Sequence, residues 1–191
     1  MKKDYANDIT ILIGMEVDYI DGYEDETTNF LNDYGPLMDD SILSVHFLKA
    51  HEQYTCIDYS KDVYLQFAKS VGGIEHMYKL YYETVMKSIQ ANLGPYKPTR
   101  IGHPTLIHKF QLAHDEKIQD EELIKQTLRS IQRAGYTVDF NSAGLSKPFC
   151  LETYPPVEYL PYINEIKLPY IFGSDAHVVS DLHQHYDTVT K

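Results

Sequence analysis

The chain lacks tryptophan and has only two cysteines, Cys56 and Cys150. Two thiols cannot build a disulfide framework or a four-thiolate zinc site, so they are read as reduced residues of a cytoplasmic protein. No apolar run approaches the roughly 20 residues that a membrane span needs. The opening lysines are not backed by an apolar stretch, so no secretory signal is expected there. Positive charge is also scarce: 17 Lys and Arg stand against 28 Asp and Glu, a formal net charge of -11. Such a chain repels phosphate backbones, which argues against nucleic acid as a partner. A phosphorylated small molecule would need a local reversal of that field, and bound metal ions are the simplest source of one.

What is present is ordinary for a folded protein. Hydrophobic residues make up 43% and charged residues 24% of 191 residues, enough for a single domain, 1–191, with a sizeable core. Five short apolar runs end abruptly in polar residues. They are Ile9 to Tyr19, Ile42 to Leu48, Arg100 to Pro104, Tyr136 to Asn141 and Tyr170 to His177. The first is continuous rather than alternating, as a strand buried on both faces should be. Helical spacing of apolar residues runs between them. Lys61 to Asn92 predicts one or two helices with a break near Gly72-Gly73, Asp120 to Ala134 predicts another that Gly135 terminates, and Val157 to Ile166 predicts a short one after Pro155-Pro156. The acidic stretch Asp18 to Asp25 is read as a solvated loop, with Glu24 and Asp25 close enough to Glu16 in sequence to matter to it.

Strands alternating with helices imply parallel strands joined by crossovers, with reacting groups gathered at the carboxyl ends of the strands. Glu16, His46, His103 and the pair Asp175 and His177 stand near such ends. Carboxylate and imidazole suit Zn, Mn or Fe. Two ions roughly 3.5–4 Å apart would polarise a phosphoryl group and acidify water, a route to phosphate-ester hydrolysis without a covalent intermediate. Each residue has a plainer reading: Glu16 as an exposed strand-end carboxylate, His46 as a core histidine, His103 as a turn residue, Asp175 as a helix cap. His51, His76, His108 and His114 match no motif and are read as surface residues.

The ordered segments Gly14-Met15-Glu16-Val17-Asp18, Ser44-Val45-His46-Phe47, Ile101-Gly102-His103-Pro104, Asn141-Ser142-Ala143-Gly144-Leu145 and Gly173-Ser174-Asp175-Ala176-His177 resemble the polymerase-and-histidinol-phosphatase superfamily, most closely its histidinol-phosphatase branch. The resemblance runs from Ile9 to His177. It implies an α/β fold, a distorted parallel (β/α)7-type barrel, with up to three divalent metal ions at the carboxyl rim. It also implies a histidinol-phosphatase, a phosphoric monoester hydrolase converting L-histidinol phosphate to L-histidinol and phosphate in histidine biosynthesis. By position, Glu16 resembles the bridging carboxylate and His46, His103, Asp175 and His177 the other ligands, with Glu16, Asp175 and His177 nearest the chemistry. Asn141 to Lys147 resembles the segment that shapes the substrate pocket. Lys147 and Arg100 are the candidate phosphate contacts, and Ser146 stands where the family often has Arg.

The chain departs from the family at its start, where no His-x-His precedes the Glu16 motif. His183 and His185 have that spacing but follow the last motif, and are read as a polar tail. The expectation is therefore a barrel incomplete at its N-terminus and at its C-terminus, holding fewer ions than the family's three. Its open edges would invite self-association. Two other functions stand beside the phosphatase: an inactive remnant that binds a metal or a partner, and a metal-dependent nuclease, which the charge disfavours.

Overall fold

The computed structural model describes residues 2–189. Strands β1 (Gly14–Asp18), β2 (Asp40–Ser44), β5 (Arg100–Ile101), β6 (Thr137–Asn141) and β7 (Tyr170–Gly173) form one parallel sheet in the order β1-β2-β5-β6-β7. Between β2 and β5 the chain makes an antiparallel hairpin of β3 (Phe47–Ala50) and β4 (Gln53–Cys56). Its two-residue turn places His51 and Glu52 at positive φ, as a hairpin turn matching the strand twist requires.

The helices are α1 (Glu24–Tyr34), α2 (Lys61–Ser70), α3 (Ile74–Gln90), α4 (Glu121–Arg133), α5 (Leu160–Glu165) and α6 (Tyr186–Val189). Helix α2 starts at Ser60, whose Oγ accepts the Val63 backbone N–H at 3.2 Å. It ends before Gly72 and Gly73, both at positive φ, which make the break that the paired glycines predict. Helix α3 buries Met77, Tyr78, Tyr81, Tyr82, Val85 and Ile89, a stripe at helical spacing. The tyrosine-rich segment is thus packing surface.

The parallel register divides the sheet into two chemically different faces. With Glu16 opposite Ile42 and Leu43 opposite Ile101, Val17, Leu43, Ile101, Val138 and Phe140 fall on one side, and all are buried. Glu16, Asp18, Asp40, Ser44, Arg100, Asp139 and Asn141 fall on the other. In a closed barrel this second face would line the lumen. Among the described residues the sheet ends at β1 and β7, which are not paired with each other. The expected α/β fold with parallel strands joined by helical crossovers is present, as a sheet of five parallel strands and a two-stranded hairpin, and among the described residues the sheet does not close into a barrel.

Two elements differ from the sequence reading. Helix α1 begins inside the last two residues of the presumed acidic loop: Glu24 and Asp25, with Glu26 after them, occupy its first turn, where carboxylates meet the positive end of the helix dipole. The run Ile42 to Leu48 is two strands, because the chain leaves the sheet at Val45-His46 to start the hairpin.

Candidate metal centre

Three of the five expected ligands come together. Glu16 projects from β1, His46 sits two residues beyond β2, and His103 sits two residues beyond β5. One ligand atom from each lies within 4.8 Å of the other two. His103 Nε2 is 2.8 Å from Glu16 Oε1, and His46 Nε2 is 3.6 Å from the same oxygen. The two imidazole rings are 4.9 Å apart. Three neighbouring parallel strands thus aim their ends at one point, which only non-local folding could arrange.

The surroundings fix these groups. Residue His103 is 4% exposed and adopts a left-handed backbone (φ 23°), a strained state for a residue with a Cβ. Its carbonyl oxygen accepts the Tyr81 hydroxyl at 3.3 Å, and that hydroxyl accepts the Leu106 N–H at 3.2 Å. Helix α3 therefore clamps the turn that carries His103. Gly102 allows the approach: a Cβ there would stand 2.1 Å from Ser44 Oγ. His46 is held from its other nitrogen, Nδ1, which lies 2.5 Å from Asp18 Oδ1. This carboxylate contact turns Nε2 toward Glu16, the arrangement that orients metal-binding histidines.

The electrostatics keep Glu16 in its ligating, ionised form and favour the protonated form of His46, which must lose its proton to ligate. Burial opposes the charge on Glu16, but the His103 hydrogen bond and the charges of both histidines bring its pKa down to about 2. Burial likewise opposes a charged His46, and Asp18, Asp58 and Glu16 outweigh it and push its pKa up. Both histidines contact the same Glu16 oxygen. A divalent ion fits the donor set: one carboxylate and two imidazoles, all hard-to-borderline, with exposure falling from Glu16 to His103.

The other expected residues lie elsewhere. Asp175 and His177 follow β7, at its carboxyl end, with His177 Nε2 3.3 Å from Asp175 Oδ1; they are outside the three-residue group. The His177 side chain is 82% exposed. Asn141 spends both ends of its amide internally: Nδ2 donates to Asp139 Oδ2 and Oδ1 accepts the Ala143 N–H, each at 2.9 Å. Arg100 lines a shallow cleft of about 210 Å³ together with Glu16, and its guanidinium is paired with Asp40. Lys147 is half-buried, just past the short turn Ala143–Ser146. His185 Nε2 lies 2.7 Å from Ser146 Oγ.

Three further residues escaped the sequence reading. Asp18 belongs to the site, and its two-residue spacing from Glu16 on one strand was the available signal. Asp139 is 2% exposed on β6; burial pushes its pKa up against the opposing pull of Asn141, His103 and Arg100. His108, read as a surface residue, is 5% exposed. Its Nδ1 meets the Glu152 carboxylate and its Nε2 lies 2.8 Å from Asp120 Oδ2.

A model of the PHP domain matches residues 1–143. The chain belongs to the PHP domain family. Among curated relatives of this PHP protein, the histidinol-phosphatase of Bacillus subtilis is 40% identical over 98% of the chain and 70% of its own length. A Deinococcus radiodurans protein, provisionally given the same name, is 28% identical over 93% of the chain and 61% of its own length. The crystal structure of hisK from Listeria monocytogenes, described as a candidate histidinol phosphatase, superposes with a TM-score of 0.92 at 42% identity, over 98% of this chain and 71% of that one. The fold read from the sequence is thus the PHP fold, and no helix among the described residues is long and apolar enough to cross a membrane.

Proposed function

We propose that this chain is a metal-dependent histidinol-phosphatase, hydrolysing L-histidinol phosphate to L-histidinol and phosphate. The observation that carries the reading is the convergence of Glu16, His46 and His103 at strand ends, in a chain 40% identical to the Bacillus enzyme across nearly its whole length. When bound, a divalent cation polarises a phosphoryl oxygen and acidifies the attacking water. The chain's own residues prepare for it. Glu16 supplies negative charge, kept ionised by its histidine neighbours. Asp18 holds His46 with Nε2 free to ligate, and Tyr81 holds the His103 turn.

Zn, Mn and Fe all suit this donor set. Asp175 and His177, at the same end of the sheet, are the further ligands in this reading, reaching the centre from β7. Lys147 and Arg100 are its phosphate contacts; Arg100 would have to exchange Asp40 for the substrate. The setting is cytoplasmic, the domain single, and copies associate through the open sheet edges.

The decisive experiment measures phosphate release from L-histidinol phosphate by the purified chain, first stripped with chelator and then supplied with Mn, Zn or Fe. Activity that returns with a metal and vanishes in His103→Ala supports the reading; no turnover with any of the three ions overturns it. A second reading, a metal-binding remnant with little turnover, is favoured by one observation: only three protein donors lie within ligating reach of one another among the described residues. Metal analysis that finds bound ion without phosphatase activity selects it.

A further inference from the structure

The two histidines of the cluster are supported unequally. His46 has Asp18 at its Nδ1. His103 is the more buried of the two, yet its Nδ1 is buried with no hydrogen-bond partner. A buried imidazole nitrogen left alone costs free energy that its neighbours ordinarily recover. An unspent carboxylate oxygen stands on the neighbouring strand β6. Extending the β5–β6 register of Ile101 with Val138 by one residue sets Asp139 beside Gly102, next to His103. Asp139 is 2% exposed, and its Oδ1 is also without a partner. Its carboxylate feels both the charge of His103 and the His103 backbone N–H.

The space around Asp139 is made for it. Its Oδ2 accepts Asn141 Nδ2 at 2.9 Å, and the Asn141 Oδ1 is fixed in turn by the Ala143 N–H. On the other side, β7 presents Gly173, where a Cβ would fall 2.2 Å from Asp139 Oδ1. A glycine thus leaves the free oxygen its room, and an amide fixes the other oxygen. A carboxylate held this tightly, buried, and unpaired on one oxygen beside a buried imidazole has one evident use.

We propose that Asp139 is the positioning carboxylate of His103: it accepts a hydrogen bond from the Nδ1–H, directly or through one water, and so presents Nε2 to the cation beside Glu16. The role is the counterpart of Asp18 for His46, and it gives both cluster histidines the carboxylate support common at metal sites. The inference rests on the metal-centre reading above. Asp139 acts through His103 and need not touch substrate.

The test uses the intact chain and Zn²⁺ alone. Zinc affinity, measured by competition with a chelator, is expected to fall roughly 10- to 100-fold in Asp139→Asn, while the far-ultraviolet circular dichroism of the metal-free protein is unchanged. In the zinc-loaded wild type, the ¹⁵N shift of His103 Nδ1 is expected to report a protonated nitrogen in a strong hydrogen bond, and this signature disappears in Asp139→Asn. Gly173→Ala, which crowds Asp139 from another strand, should weaken zinc as well. Unchanged zinc affinity in a folded Asp139→Asn overturns the assignment and leaves the cluster reading intact. A wild-type His103 Nδ1 without that signature overturns it too, independently of any variant. Failure of the wild type to bind zinc removes both.

Discussion

His108 is the residue at which burial and charge are in sharpest opposition. Removing an imidazole from water favours its neutral form, yet Asp120 and Glu152, one on each ring nitrogen, raise its pKa to about 9. Tyr82 donates to the same Asp120 oxygen at 2.5 Å, and the Tyr78 ring stacks on the imidazole at 5.5 Å. An unfolded histidine has a pKa of about 6.5. Below that value both states carry the proton and the ion pairs contribute in full. As pH rises past it, the unfolded chain releases its proton first, and the contribution is gone once pH passes about 9. Urea midpoints measured from pH 6 to 10 should therefore fall across this window, and His108→Gln should flatten the fall. His108→Ala leaves two carboxylates without their cation and should cost roughly 3–5 kcal/mol by urea denaturation. The histidine lies five residues beyond His103 in a run that reads as apolar and loop-like, and its partners are 12 and 44 residues away. Sequence spacing alone could not expose it.

At the scale of elements, the sequence was legible wherever the local pattern and the tertiary use agree. The break between α2 and α3 is written in Gly72-Gly73, and the stripe from Met77 to Ile89 specifies a buried helix face. Met77 is 0% exposed, so Met77→Ala should destabilise by about 2–5 kcal/mol in denaturant unfolding. The meeting of Glu16, His46 and His103 was legible as well, because each stands at the end of a β-like run. The hairpin β3–β4 was not: His51 and Glu52 are not turn-forming glycine or asparagine, so nothing local announces the reversal. Helix α1 was hidden by its charges, which stabilise a helix start as readily as they solvate a loop. Gly102 couples element to site. Gly102→Ala would drive a methyl group into Ser44 and Ile42, displacing the His103 turn; zinc affinity is expected to drop at least tenfold with secondary structure retained, as read by competition titration and circular dichroism.

Among the described residues the main sheet has one apolar face and one polar face, the polar one partly exposed at Glu16 and Asp18 and buried at Asp139 and Asn141, and it ends at β1 and β7. Apolar side chains gather along those ends: Leu12 is 56% exposed, Ile13 56% and Ile171 44%. Unpaired strand edges beside apolar surface invite pairing with another chain. Sedimentation velocity over a range of concentrations should show reversible association, and Ile13→Lys with Ile171→Lys should shift the population to monomer. A single species at all concentrations would show that the edges are kept apart in solution. This feature lay beyond the reach of motif reading, because it depends on which strands lack neighbours.

The strand order of the main sheet follows the order of the chain, each new strand docking beside the last. Among the described strands of this sheet, none is accordingly threaded between two that precede it in the chain. Glu16 lies on β1, and His46 and His103 lie just beyond β2 and β5, the three adjoining strands at that end of the sheet. The cation-seeking trio therefore needs only those three adjoining strands, and β6 and β7 extend the sheet beside a centre that the earlier strands supply.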